Sequence, residues 1–304
     1  MILENKETKR RMLQPMKKIK PMDVFEWIVE RIFFICAMAA VFSVAAITIF
    51  IFIKGVPAIG QIGIFNFTLG MKWKPSAELY GILPMIAGSI LATTGAIIIG
   101  VPVGIFTAVY LAEIAPPSVA RFVKPAVELL AGIPSVLYGF FGLVVVVPLV
   151  SEVFGGTGYS LLTASFILGV MILPTIISLS EASLKAVPKE YKEGALALGS
   201  SHINAVFTVL IPAAKSGIVA SIILGVGRAI GETMAVMLVA GNTPKIPSSI
   251  LDPIRTMTTN IAMEMNYAVD LHFDALFGTG VVLFIFIMIL NFVTYFFVHR
   301  NTAK

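Results

Sequence analysis

Two ionisable residues stand inside an otherwise apolar run, and their chemistry is the first clue to what the chain does. The stretch 216–241 carries Arg228 and Glu232, with Thr233 beside them. A charge at the centre of a hydrocarbon layer costs about 3 kcal/mol even on the lenient insertion scale, so such residues pair or face water, and they are functional candidates by default. If the run is one helix, Arg228 and Glu232 are four apart, share a face and can meet. Gly227 and Gly231 make a Gly-x-x-x-Gly step that lets another backbone approach closely. A guanidinium matches the oxygens of a tetrahedral oxyanion bidentately and stays charged at any working pH. On a translocation path, Arg228 would attract an anion. Glu232 would temper that hold so that the anion can leave, and could accept a hydrogen bond from a protonated oxyanion. Thr233 adds a hydroxyl. The competing account is an ion pair that only fixes helix packing.

A second segment, 187–199, reads as a docking element. Pro188 suits the first turn of a helix. Lys189, Glu190, Lys192 and Glu193 keep one face in water, while Tyr191, Ala195 and Leu198 fall at i, i+4 and i+7 on another. Gly199 suits a left-handed C′ position, and Ser200 or Ser201 can cap a following helix. The expectation is two short helices joined by a tight turn, with a small apolar face for a partner's groove. The competing account is an amphipathic surface hairpin with no partner. Gly194 and Gly199 have the glycine spacing of a phosphate-binding loop, but Ser200 stands where that loop needs a lysine. Any ATP hydrolysis is therefore expected from a separate subunit.

The run Glu193-Gly194-Ala195, three residues, Gly199, nine residues, Val209-Leu210-Ile211-Pro212 resembles the EAA signature of ABC importer permeases. That signature reads Glu-Ala-Ala, three residues, Gly, nine residues, Ile-x-Leu-Pro. The three departures (Gly194, Val209 and Ile211) keep small or apolar character. The stretch from Arg228 through Thr233 to Val236, with Gly241-Asn242 and the run 133–142, is similar to the phosphate-specific branch of these permeases, and the likeness covers the chain from about residue 31 onward. Two sister permeases of that branch share the Arg…Gly-Glu-Thr core, and the continuation Met234-Ala235-Val236 matches one of them. The resemblance implies a MetI-like fold and no cofactor in this chain, with ATP-Mg held by a partner ATPase. It also implies four further subunits: a sister permease, two ATPase copies and an external phosphate-binding protein. Residues Glu190, Tyr191, Glu193, Gly194, Ala195, Leu198 and Gly199 would dock on the ATPase, and Arg228, Glu232 and Thr233 would line the anion path. Within the same family the cargo could instead be sulfate, molybdate or phosphonate. Outside it stands a membrane scaffold or sensor that passes nothing.

These residues need a bilayer to position them. Hydrophobic residues make up 58% of the 304 and charged residues 13%, against about a quarter charged in a soluble protein. A mean hydropathy of +0.95 excludes a water-soluble domain. The net charge of +5 does not mark a nucleic-acid binder, because the basic residues sit between apolar runs. Six stretches approach or exceed the roughly 20 apolar residues that span a membrane: 33–53, 82–111, 129–150, 159–180, 216–241 and 277–298. The first is longer than a signal-peptide core and reads as a signal anchor. The second, with Gly100, Pro102 and Gly104, is expected to kink or tilt. Six spans leave both termini on one side. Placing them in the cytoplasm puts sixteen Lys/Arg inside, among them the cluster Lys6, Lys9, Arg10, Arg11, Lys17, Lys18 and Lys20. Five lie outside: Lys54, Lys72, Lys74, Lys245 and Arg255. The positive-inside rule then sets the orientation, and the basic N-terminus would meet anionic lipid headgroups.

The expected architecture is an all-α integral membrane protein of a prokaryotic plasma membrane. Residues 1–30 form a cytoplasmic segment and 31–300 the permease domain. A cytoplasmic loop lies at about 181–215 and an external loop at about 242–276. No internal repeat argues for a secondary transporter. Glu113 and Glu128 read as interfacial partners of Arg121 or Lys124, and Trp27 and Trp73 as interfacial anchors. Cys36 reads as a buried free thiol. The histidines, 202, 272 and 299, are too scattered for a metal site.

Overall fold

The computed structural model describes the backbone of residues 21–302 and the side chains of 25–292. The basic cluster at residues 6–20 lies outside the described residues, as do the side chains of residues 299, 300 and 304. The chain divides into two units, Met1–Phe50 and Ile51–Lys304. In the first unit the described part is helical, belonging to α1 (Pro21–Ile62). Its apolar side chains point outward: Phe33, Ile35 and Phe42 are all exposed, and so is Cys36. The expectation of a buried thiol is thus corrected. A surface of that kind is stable only with lipid as its solvent.

Among the described residues, five helices are long and apolar enough to cross a membrane: Phe25–Ile62, Leu83–Ile114, Ser135–Phe154, Leu161–Lys185 and Asp270–Phe292. A sixth is reached when His202–Ala213 and Lys215–Gly231, bent by 70°, count as one. The all-helical fold with up to six spans therefore holds, with two breaks displaced from where the hydropathy put them. Stretch 129–150 divides at Ile133-Pro134 into the helix Pro117–Gly132 and a span starting at Ser135, because proline cannot donate within a helix. Stretch 216–241 ends as a helix at Gly231.

In the second unit, the centre is the helix Leu161–Lys185, capped by Ser160, whose hydroxyl accepts from the Thr163 N–H at 3.1 Å. Two-thirds of its apolar window is buried, the largest share of any span. The helix Leu83–Val109 lies along it at close range. A Cβ on Gly100 would fall 2.7 Å from the Gly169 carbonyl oxygen, and one on Gly104 would fall 2.8 Å from Ile176. These glycines serve backbone approach between two spans, the role small residues play where lipid supplies no hydrophobic drive. Helix Lys215–Gly231 packs on the other side of the centre, with the buried hydroxyls of Ser180 and Ser221 2.7 Å apart.

One end of the bundle is covered by irregular structure. A two-residue hairpin pairs Trp73 with Tyr80 and Lys74 with Leu79. Segment 242–256 returns across the bundle: the Leu161 N–H donates to the Asp252 carbonyl, the Leu162 N–H to Ile250, and the Ile254 N–H to Ala240. A short helix, Met257–Glu264, follows, opened by a capping box between Thr256 and Thr259.

Replacing Gly100 with Leu should lower the melting temperature of the detergent-solubilised protein, since overpacking a close contact costs about 1–3 kcal/mol. A Cβ at Gly60 meets nothing within 4 Å, so Gly60→Ala should leave that temperature unchanged or raise it.

Candidate functional site

Arg228 lies in the last turn of helix Lys215–Gly231 and is half-buried. Its Nη1 lies 3.5 Å from Oγ1 of Thr175, on the central helix. Tyr138, at the start of the span Ser135–Phe154, stands within electrostatic reach of the guanidinium and donates its hydroxyl to the Leu130 carbonyl at 2.6 Å. Among the described residues no carboxylate comes within salt-bridge distance of Arg228.

The expected pairing of Arg228 with Glu232 along one helix face is therefore corrected. After Gly231 the backbone turns extended at Glu232 (φ −69°, ψ 130°), which removes the i, i+4 geometry. The Glu232 carboxylate instead accepts from the Ala235 N–H at 3.0 Å, at the start of the short helix Met234–Val239. The Glu232 carbonyl, released from the helix ladder, accepts from the Thr258 hydroxyl at 3.0 Å. Thr233 turns its own hydroxyl towards the Gly231 carbonyl at 3.3 Å. Several polar groups freed by the break thus find protein partners, the condition under which non-helical backbone survives at membrane depth. The break had a sequence signal, Gly231 as a stop followed by Thr233 as a start. Thr175, one of two threonines in the central helix, had none. Gly227 and Gly231 face open space, with nothing within 4 Å of an added Cβ, so the close approach expected of them is not made within this chain.

The docking segment folds as its residues dictate. Helix Lys189–Ala197 buries no side chain. Gly199 takes φ +86°, and the N–H of Ser200 returns to the Ala195 carbonyl at 3.1 Å. Ser201 caps the next helix, His202–Ala205, through the Asn204 N–H at 3.3 Å. Tyr191 is 55% exposed and Leu198 92%, with Glu190, Glu193 and Gly194 also exposed and Ala195 half-buried. Exposed apolar side chains on a charged helix are what a docking surface presents.

Of the two interfacial acids, Glu128 lies within electrostatic reach of Lys124 as expected, whereas Glu113 has another partner. Glu113 is bonded by Lys192 of the docking helix at 2.6 Å. Lys124 pairs with Glu181, which also takes Lys185 at 2.6 Å. Hydrogen bonding to Glu181 holds the Lys124 ammonium above its usual range.

At the opposite end the acids of 242–276 are largely spent within the chain. Glu264 is buried: its Oε1 accepts from Arg255 at 2.7 Å, and its Oε2 lies 2.7 Å from the Trp73 indole N and 2.8 Å from His272 Nε2. Arg255 also donates to the Asn242 carbonyl and to Asn260. Trp73 is thus a buried donor rather than the expected interfacial anchor. Trp27 is exposed, with the Arg31 guanidinium 5.4 Å from its ring centroid. Asp252 accepts from the Ser248 hydroxyl and from the Ser248 and Ser249 N–H groups, which hold its carboxyl below the usual carboxylate range.

Residues 100–303 match the family described as the binding-protein-dependent transport system inner membrane component. The chain is 38% identical over 270 residues to the probable ABC transporter permease protein YqgH of Bacillus subtilis, covering 85% of this chain and 87% of that one. It is 36% identical over 261 residues to the phosphate transport system permease protein PstC of Mesorhizobium japonicum, with 79% and 80% covered. The PstC of Haemophilus influenzae is 35% identical over 269 residues, with 82% and 85% covered. In fold the chain resembles a bacterial alginate ABC transporter, with a TM-score of 0.65 at 14% identity over 94% of this chain and 99% of that one. The MetNI methionine ABC transporter is also similar, with a TM-score of 0.57 at 20% identity over 76% and 99%.

Glu264→Ala should destabilise the protein by about 3–5 kcal/mol, because it leaves Arg255 buried without its counter-charge; thermal unfolding measures it. Because the Asp252 carboxyl is depressed on folding, its contribution is present above the unfolded value of about 3.9 and lost as the pH falls through the lower folded value. Protease resistance of segment 242–256 should therefore hold from pH 7 to pH 5, whereas Asp252→Asn should weaken it already at pH 7.

Proposed function

The chain belongs to the family of binding-protein-dependent transport system inner membrane components, and from that premise we propose that its cargo is inorganic phosphate and that Arg228 stands on the path the anion takes. As a member of that family it is a multi-pass inner-membrane permease subunit of an ABC importer. It breaks no covalent bond, and its transport system works with an ATPase and a binding protein.

The observation that carries the phosphate reading is Arg228 itself. It is a permanent cation inside an apolar bundle, half-buried, with a neutral hydroxyl beside it and, among the described residues, no carboxylate within salt-bridge distance. Such a group is costly unless an anion or water meets it. The guanidinium fork suits a phosphate oxyanion. Thr175 and Thr233 add hydroxyls, and Glu232, one residue beyond the helix end, accepts from a protonated oxyanion and keeps the site from holding it too tightly. The relatives named for phosphate transport, 35–36% identical over most of the chain, support the same cargo.

In this reading the chain takes the PstC-like place beside a sister permease, with the open face at Gly227 and Gly231 turned towards that partner. Two ATPase copies hold ATP-Mg and receive the segment from Glu190 to Gly199. An external phosphate-binding protein delivers the anion. Closure of the ATPases on ATP moves the docking helix and opens the path outward, and hydrolysis resets it.

The test is uptake of labelled phosphate at low micromolar concentration in cells lacking the chain, complemented with wild type or Arg228→Gln. Excess sulfate or molybdate serves as competitor, and blotting checks membrane levels. Wild type should restore uptake that neither anion competes, and Arg228→Gln should be present in the membrane and lose at least about tenfold in rate, the scale of a lost charge-assisted contact. Uptake abolished by sulfate or molybdate would move the cargo to that anion. Normal transport by Arg228→Gln would make the arginine structural.

A further inference from the structure

A docking helix that receives force from an ATPase must hand it to the spans, and here its attachment is sparse. Helix Lys189–Ala197 buries none of its residues, so apolar packing fastens it only weakly. Tyr191, Glu193 and Leu196 on the helix, and Leu198 just after it, are exposed. The fastening is ionic. Lys192 Nζ lies 2.6 Å from Oε2 of Glu113, a side chain only 11% exposed. Across the tight turn, Nε2 of His202 lies 3.8 Å from the same oxygen; that nitrogen is buried and has no hydrogen-bond partner. One carboxylate therefore faces both helices of the docking hairpin.

Glu113 does not belong to the hairpin. It sits in a single π-helical turn, Tyr110–Ile114, that directly continues the helix Leu83–Val109. That helix is the one locked against the central span by Gly100 and Gly104, and the central span carries Thr175 beside Arg228. π-turns inside helices are frequent at functional positions.

We propose that Glu113 is the clamp through which the docking hairpin moves the transmembrane bundle, with Lys192 and His202 as its jaws. Glu113 is a positioning residue: it touches neither cargo nor nucleotide, and it acts by making the hairpin and the second span move as one body. The inference rests on the permease reading above and adds the point at which the force enters this chain.

The test uses the complete transporter, this chain with its sister permease and ATPase, in sealed vesicles with the binding protein and inorganic phosphate. ATP hydrolysis and phosphate uptake are measured on the same preparation, and the readout is phosphate moved per ATP hydrolysed. Lys192→Gln and Glu113→Gln should go on hydrolysing ATP while phosphate per ATP falls about tenfold, the usual size of a coupling between sites. The exchange Glu113→Lys with Lys192→Glu should recover much of that ratio, which a loss of folding or assembly would not do. Lys192 is partly exposed, so its variant tests the clamp even if Glu113→Gln assembles poorly. An unchanged ratio in Lys192→Gln, or an exchange no better than the single variants, overturns the clamp and leaves the permease reading standing. A wild-type complex that hydrolyses ATP without moving phosphate overturns the cargo on which the test is built, and the clamp falls with it.

Discussion

Backbone hydrogen bonding in a medium without water is the constraint from which the rest follows. In hydrocarbon every N–H and carbonyl needs a protein partner, and a continuous helix meets that need by itself. This chain obeys the rule along its spans and departs from it after Gly231. At the departure two of the freed groups are satisfied from elsewhere: the Ala235 N–H by the Glu232 carboxylate, and the Glu232 carbonyl by Thr258. The same break separates Glu232 from Arg228, so that among the described residues no carboxylate lies within salt-bridge distance of the guanidinium. A bundle of unbroken helices would have paired the two and neutralised both.

Thr258 ties this break to the cover of the bundle. It belongs to the short helix Met257–Glu264, whose far end carries the buried carboxylate that gathers Arg255, Trp73 and His272. A buried charge cluster of this sort adds little net stability over an apolar equivalent, but it is intolerant of losing one member. Its use here is positional. Trp73 comes from the hairpin after the first helix, and His272 from the start of the last one. Three distant segments are thus held in one arrangement, joined to the break after Gly231 through Thr258.

At the other end the logic is reversed, with apolar surface left open rather than covered. The docking hairpin keeps its apolar side chains exposed and its charges divided between solvent and Glu113. Between the two ends run the glycine contacts of the second and fourth spans, which allow backbones to touch.

The sequence by itself determined the membrane class, nearly every span, the shape of the docking hairpin with Gly199 in the left-handed region, and the choice of Arg228 as the group to watch. These depend on local properties: run length, residue spacing, and the conformations that glycine and proline permit. Only the tertiary structure decided what each charged side chain meets. Whether Arg228 is paired depends on Thr258, thirty residues further along the chain; whether Glu113 faces Arg121 or Lys192 depends on how a loop folds back; and Trp73 is buried because Glu264 lies above it. Hydropathy reports how a residue partitions, not which residue it will touch, and a charge in low dielectric is defined by its neighbours.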